Sequence, residues 1–163
     1  MSVSPTVNFL SYNSTGMNTV KSSWVRDLIK VTDSHFAGIQ EHFKKTNNVE
    51  KFYEHLSYVI PTVREEGQDS GHPKGGITQL ISKQLGIKTE RVSTKNFKLQ
   101  AQVLGLSSRK LWINAYFPND PLRQNFDETE LILLLSEIEN IMDTCNYDDC
   151  LLQGQNWELG QKL

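Results

Sequence analysis

Short apolar runs alternate along this chain with stretches of helical period, and a chain so patterned is expected to layer helices on a sheet. Val7–Tyr12 and His35–Gln40 are apolar without helical spacing and read as buried strands. Between them Val20, Trp24, Leu28 and Val31 recur at three-to-four spacing behind Asn18, a side chain suited to a helix N-cap. A short helix is expected at Phe52–Leu56, then a strand at Leu56–Val63 interrupted by Pro61, as an edge or bulge would be. Residues 64–73 are polar, glycine-rich and without periodicity, so they read as a loop. Further strands are expected at Gly76–Ile81, Phe97–Leu104, Lys110–Phe117 and Cys150–Gln153, with Lys83–Thr94 and Gly105–Arg109 as turn-rich separators. The clearest helix starts at Asp127, with Glu130 completing a capping box and Phe126 and Leu131 forming a hydrophobic staple. Leu131, Leu134, Leu135, Ile138, Ile141 and Met142 form its apolar stripe, and both this stripe and Trp24 are expected in the core.

No repeat or linker divides the 163 residues, which suit one domain or most of one. The longest apolar run, Leu131–Leu135, is far short of the roughly 20 residues that span a bilayer, so no membrane partner is expected. The N-terminus lacks the basic start and apolar core of a signal peptide. Cys145 and Cys150 are too few for a disulfide framework and read as reduced, half-buried thiols of a cytosolic or nuclear protein.

The net charge of −2 conceals segregation. Residues 1–73 balance at −1, residues 74–110 at +7 and residues 111–163 at −8. A basic middle could face phosphates, or its lysines could pair with the acidic helix that follows.

Three strand ends carry the chemistry. Asn13 sits in LSYNSTG, Glu41 follows the run GIQ, and Tyr116 closes INAY before Phe-Pro-Asn. In open α/β sheets functional groups gather where strands end. A carboxylate and a carboxamide brought together there suit a hard divalent cation. Taken singly, Asn13 reads as a turn former, Glu41 as a solvated carboxylate and Tyr116 as packing behind a turn.

Together, in this order and spacing, the three motifs resemble the endonuclease/exonuclease/phosphatase superfamily, which includes DNase I, exonuclease III and the apurinic endonucleases. Glu41 lies 28 residues after Asn13, as the superfamily's second signature follows its first. The segments EHF, REEGQDSGHPKGG and YFPNDP look most like endonuclease domains of LINE-type retrotransposons. The resemblance implies part of a four-layered α/β sandwich, a mixed sheet with flanking helices, whose second sheet and C-terminal half would come largely from sequence beyond this chain. An uncovered sheet face would then favour self-association.

The implied activity is Mg²⁺- or Mn²⁺-dependent cleavage of DNA. Glu41 would ligate the metal with help from Asn13. Tyr116 would orient the scissile phosphate or its attacking water, and Asn156 would belong to the fourth signature. Asn119, with Lys74, Arg91 and Lys98 of the basic stretch, would touch nucleic-acid phosphates. That fourth signature is Gly-Asp-x-Asn, but this chain reads Gly154-Gln155-Asn156, so either Gln155 replaces the aspartate or one residue has been lost. The fifth signature ends in a histidine, yet His72 is the last histidine present. Weak or absent activity follows from both departures. The rival expectation is a non-catalytic remnant that binds nucleic acid or protein through residues 74–110; a third keeps the superfamily with a lipid phosphate, inositol phosphate or RNA as substrate.

Overall fold

Side chains alternate across a strand, so a strand buried on both faces needs a layer on each side. The computed structural model describes residues 7–13, 19–40, 57–59, 76–82, 85–96, 98–117 and 128–155. Among these the order is β1 (Phe9–Asn13), α1 (Thr19–Val31), β2 (Phe36–Gln40), β3 (Ser57–Val59), β4 (Ile77–Ser82), β5 (Lys88–Val92), β6 (Leu99–Gly105), β7 (Arg109–Tyr116), α2 (Glu128–Thr144) and β8 (Asp149–Gln155).

The strands form two sheets, β1-β2-β4-β3 and β5-β6-β7-β8. β1 and β2 pair in parallel, as do β7 and β8, and the remaining pairs are antiparallel. Parallel neighbours need a crossover, and α1 and α2 lie within these two.

Each sheet covers one face with a helix. Ala37, Ile39 and Leu80 pack with Val25 of α1, and Leu10, Tyr12 and Ile29 lie at the margin. On the second sheet Leu99, Ala101, Val103, Leu111, Ile113 and Ala115 meet Leu134, Ile138 and Ile141 of α2. The other faces meet each other, with Phe36, Ile81, Leu104 and Trp112 buried between the sheets. Trp112 stands edge-on to Phe9 and Phe36, with ring centroids 5.6 and 5.4 Å away. The layers are helix, sheet, sheet, helix.

The mixed sheets and flanking helices agree with the sequence reading, but the origin of the second sheet does not. The sequence reading puts it largely beyond this chain, whereas β5–β8 supply four strands of it, and Phe36 and Ile81 on the inward face of the first sheet are buried against it. An uncovered face therefore no longer argues for self-association. The stretch 83–94, expected as a separator, contains β5. Its Lys-Thr-Glu-Arg-Val has no apolar period and becomes a strand by pairing along β6 at the sheet edge.

The stripe of α1 is also corrected. Trp24 is 60% and Val31 84% exposed, with Val20 and Leu28 exposed beside them, while Val25 and Ile29 take the sheet. Both stripes repeat every four residues, so period alone does not choose between them. On α2, Leu135 and Met142 are likewise exposed. Expectations for Asn18, Phe52–Leu56, Pro61, residues 64–73, Phe126 and Asp127 fall outside the described residues.

Candidate functional site

The interface between the sheets changes character along its length. Aromatic rings fill one end; toward the C-terminal ends of β2 and β7 it becomes amide. Gln40, Gln79, Gln102, Asn114 and Gln153 are all buried there. Buried amides are costly unless hydrogen-bonded, and each of these makes at least one hydrogen bond. Gln40 Nε2 donates to Asn114 Oδ1 at 2.6 Å and to Ser11 Oγ at 3.3 Å. Gln102 Nε2 donates to Gln79 Oε1 at 2.9 Å, and Gln79 Nε2 to the Trp112 carbonyl at 3.2 Å. Trp112 Nε1 donates to Gln153 Oε1 at 2.8 Å. Gly38 makes room for this seam, since a Cβ there would stand 2.6 Å from Gln153 Oε1 and 3.1 Å from Asn114 Oδ1.

Above the seam the two parallel pairs end on the same side. Asn13 faces Gln40 across the last rung of β1 and β2, and Tyr116 faces Gln155 across the last rung of β7 and β8. The Gln40–Asn114 hydrogen bond ties one pair to the other, two residues before Tyr116. This rim is the candidate site.

The sequence-derived residues distribute as follows. Tyr116 is half-buried at the rim, its amide donating to the Lys98 carbonyl at 2.8 Å. The backbone of Asn13 ends β1 at the rim, and Glu41 is the residue directly after buried Gln40. The Asn13 side chain, together with Glu41, Lys74, Asn119 and Asn156, lies outside the described residues. Lys98 sits 5.5 Å from the Tyr116 ring centroid and pairs with Glu130 of α2. Arg91 is exposed on β5 opposite Gln102, whose partner on β7 is Trp112, four residues before Tyr116; it is not gathered into the rim.

Of the basic stretch, Arg109 pairs with Glu90 at 3.2 Å and Lys110 pairs with Asp149. Together with Lys98–Glu130, these pairs offset part of the positive charge that the sequence offered to phosphates.

Sequence reasoning missed Gln40, Asn114 and Gln153 as parts of the site. Their signal was phase: Gln40 shares a strand face with Phe36, and Asn114 with Trp112, so both amides point where the large apolar groups point.

Among the described residues no group of three His, Cys, Asp or Glu side chains could hold a metal. The described donors near the rim, Ser11, Gln40, Asn114 and Tyr116, are amides and hydroxyls. Neutral oxygens of this kind are ligands that a hard divalent cation accepts. Cys150 lies at the opposite end of β8.

Cys145 and Cys150 are free and half-buried, as expected. Burial, reinforced by the Asp149 carboxylate and partly offset by Lys110, raises the Cys150 thiol pKa. Only the thiolate reacts, so alkylation of Cys150 by iodoacetamide should be slower at pH 7.5 than that of an unstructured peptide cysteine. Peptide mapping of partially alkylated protein checks this.

No family model and no curated protein matches the chain. Solved structures do. An endonuclease/exonuclease/phosphatase family protein from Bacteroides thetaiotaomicron aligns over 91% of this chain and 61% of its own, with TM-score 0.54 and 15% identity. The fold is that of the endonuclease/exonuclease/phosphatase superfamily. D. rerio TDP2 complexed with a single-strand DNA product shares this DNase I-like fold at TM-score 0.58 and 12% identity, over 95% of this chain and 64% of its own. A mannosyl-6-phosphatase from B. thetaiotaomicron shares it at TM-score 0.58 and 14% identity, over 91% and 64%. The chain thus spans less than two thirds of each of these DNase I-like proteins. Among the described residues, no helix is long and apolar enough to cross a membrane.

Proposed function

We propose that this chain carries part of a divalent-metal phosphodiesterase site that cleaves DNA slowly. One observation carries the reading: two parallel strand pairs, one from each sheet, end side by side with Asn13, the residue before Glu41, and Tyr116 at their tips. Glu41 and Asn13 would hold Mg²⁺ or Mn²⁺, whose charge would stabilise the negative charge that builds on a phosphate under attack by water. Tyr116 would orient that phosphate through its hydroxyl, and Asn156 would support it from the end of β8. Asn119 and Lys74 would contact flanking phosphates, Arg91 would reach only phosphates away from the rim, and Lys98 would do so only by sharing its ammonium with Glu130.

The rate should be low because Gln155 brings no charge to the rung opposite Tyr116. The neighbour crystallised with single-strand DNA supports nucleic acid as substrate. The LINE-type reading rests on the sequence motifs alone.

The test is conversion of supercoiled plasmid to nicked circle. Slow nicking with Mg²⁺ or Mn²⁺ is expected, halted by EDTA and absent from a Glu41→Ala preparation purified in parallel. No nicking at any protein concentration would remove the enzyme reading. Salt-sensitive DNA binding without nicking would then favour the binding remnant. Release of phosphate from a sugar or inositol phosphate, with the plasmid intact, would keep the site and change its substrate.

A further inference from the structure

Asn114 is completely buried between two sheets that an alkyl side chain would pack at lower desolvation cost. Its carboxamide engages both N–H groups and its oxygen. Nδ2 donates to the carbonyls of Ile39 at 3.3 Å and Thr78 at 3.0 Å, and Oδ1 accepts from Gln40 Nε2 at 2.6 Å. All three partners lie on the opposite sheet, on β2 and β4. Gln40 reaches onward to Ser11 on β1 and to the Gly38 carbonyl. One side chain of the second sheet is therefore pegged to two strands of the first, and through Gln40 to a third.

Apolar contacts between sheets are non-directional and resist sliding weakly, whereas hydrogen bonds weaken steeply once misaligned. Such a peg matters most where the two sheets must present groups to one another. Gln40 is the residue before Glu41, and Asn114 lies two before Tyr116 on the same face of β7. The Gln40–Asn114 bond is thus the shortest described connection between a strand that delivers the carboxylate and a strand that delivers the phenol.

We propose that Asn114 is a positioning residue for the rim, holding Gln40 so that the end of β2 keeps its register against the end of β7 at Tyr116. The inference rests on the metal phosphodiesterase reading above. It is separable from a merely structural role because stability and geometry respond differently to removing one partner or both.

Asn114→Leu removes the nearest acceptor of Gln40 Nε2 and the donor to the Ile39 and Thr78 carbonyls, and should lower Tm. Gln40→Leu combined with Asn114→Leu removes both ends of that bond and should recover part of the lost Tm, since the Ile39 and Thr78 carbonyls still lack the Asn114 donor. A displacement near 1 Å can reduce rate about 10²-fold, so kcat for Mn²⁺-supported nicking should fall about 100-fold in both variants, with KM for plasmid within about twofold. Mn²⁺ affinity, read by electron paramagnetic resonance of the free ion, should weaken in both.

Recovery of kcat and Mn²⁺ affinity along with Tm in the double variant would show a structural role and overturn the proposal. So would an active wild type whose Asn114→Leu variant keeps its kcat. A wild type that neither binds Mn²⁺ nor nicks plasmid would overturn the phosphodiesterase reading itself, and this inference with it.

Discussion

Replacing Gln155 with aspartate is expected to raise metal-dependent nicking by about 10²-fold over the parent chain. β7 and β8 pair without interruption from Lys110–Asp149 to Tyr116–Gln155, so the residue after Gly154 stands on the rung that faces Tyr116. In the resembled signature that residue is the aspartate. An amide offers an oxygen but no charge, and it can neither hold a metal as a carboxylate does nor accept a proton near neutral pH. Charge stabilisation and acid–base help are each worth roughly 10² to 10⁴ in rate, and restoring one carboxylate recovers a share of that. Adding Glu41→Ala to the gained variant should return it to background, since both carboxylates would serve one metal site. A parallel variant with aspartate inserted after Gly154 reads Gly-Asp-Gln-Asn and places Asn156 in the fourth signature position. The insertion outperforming the substitution would mean that a residue was lost here. Neither variant gaining activity, with both folded, would mean that this rung takes no part in chemistry.

How much of this was legible in the sequence depends on which physical rule governed each segment. β2 and the buried stripe of α2 follow apolar period, and Phe36–Gln40 and Leu134, Ile138 and Ile141 lie where the pattern puts them. β5 follows no such rule, because an edge strand with four exposed residues is defined by its partner rather than by its own side chains. In α1 two stripes of equal period compete, and Val25 and Ile29 rather than Trp24 and Leu28 pack on the sheet. The strand tips were legible because their motifs mark chain reversals. The amide seam was not, because a polar residue on an apolar strand is ordinarily assigned outward. Here Gly38 opens the space in which Gln40 bonds Asn114 and Gln153 bonds Trp112 inside. The fold around the rim was thus easier to read than the scaffold that sets its spacing.

Trp112→Ala should be the most damaging single core substitution, destabilising the chain by about 3 to 5 kcal/mol. The indole is among the largest fully buried side chains, and it touches both sheets at once through Phe9 and Phe36. Truncation opens a cavity between rigid layers that cannot close over it, and leaves Gln153 Oε1 without the indole N–H that reaches it at 2.8 Å. Domains are commonly stable by only about 5 to 15 kcal/mol, so the urea midpoint should fall by a large fraction. Trp112→Phe retains most of the ring but loses the donor, and should cost about 1 to 3 kcal/mol, the penalty of a buried acceptor left unpaired. The ratio of the two losses separates packing from hydrogen bonding at this position. It also tests whether the chain closes its own sandwich. If the second sheet did not pack on the first, residue 112 would meet water in either variant, and both midpoints would stay near that of the parent. A large loss for alanine with an intermediate one for phenylalanine requires an indole enclosed on both sides, as β5 to β8 enclose it against β1, β2 and β4.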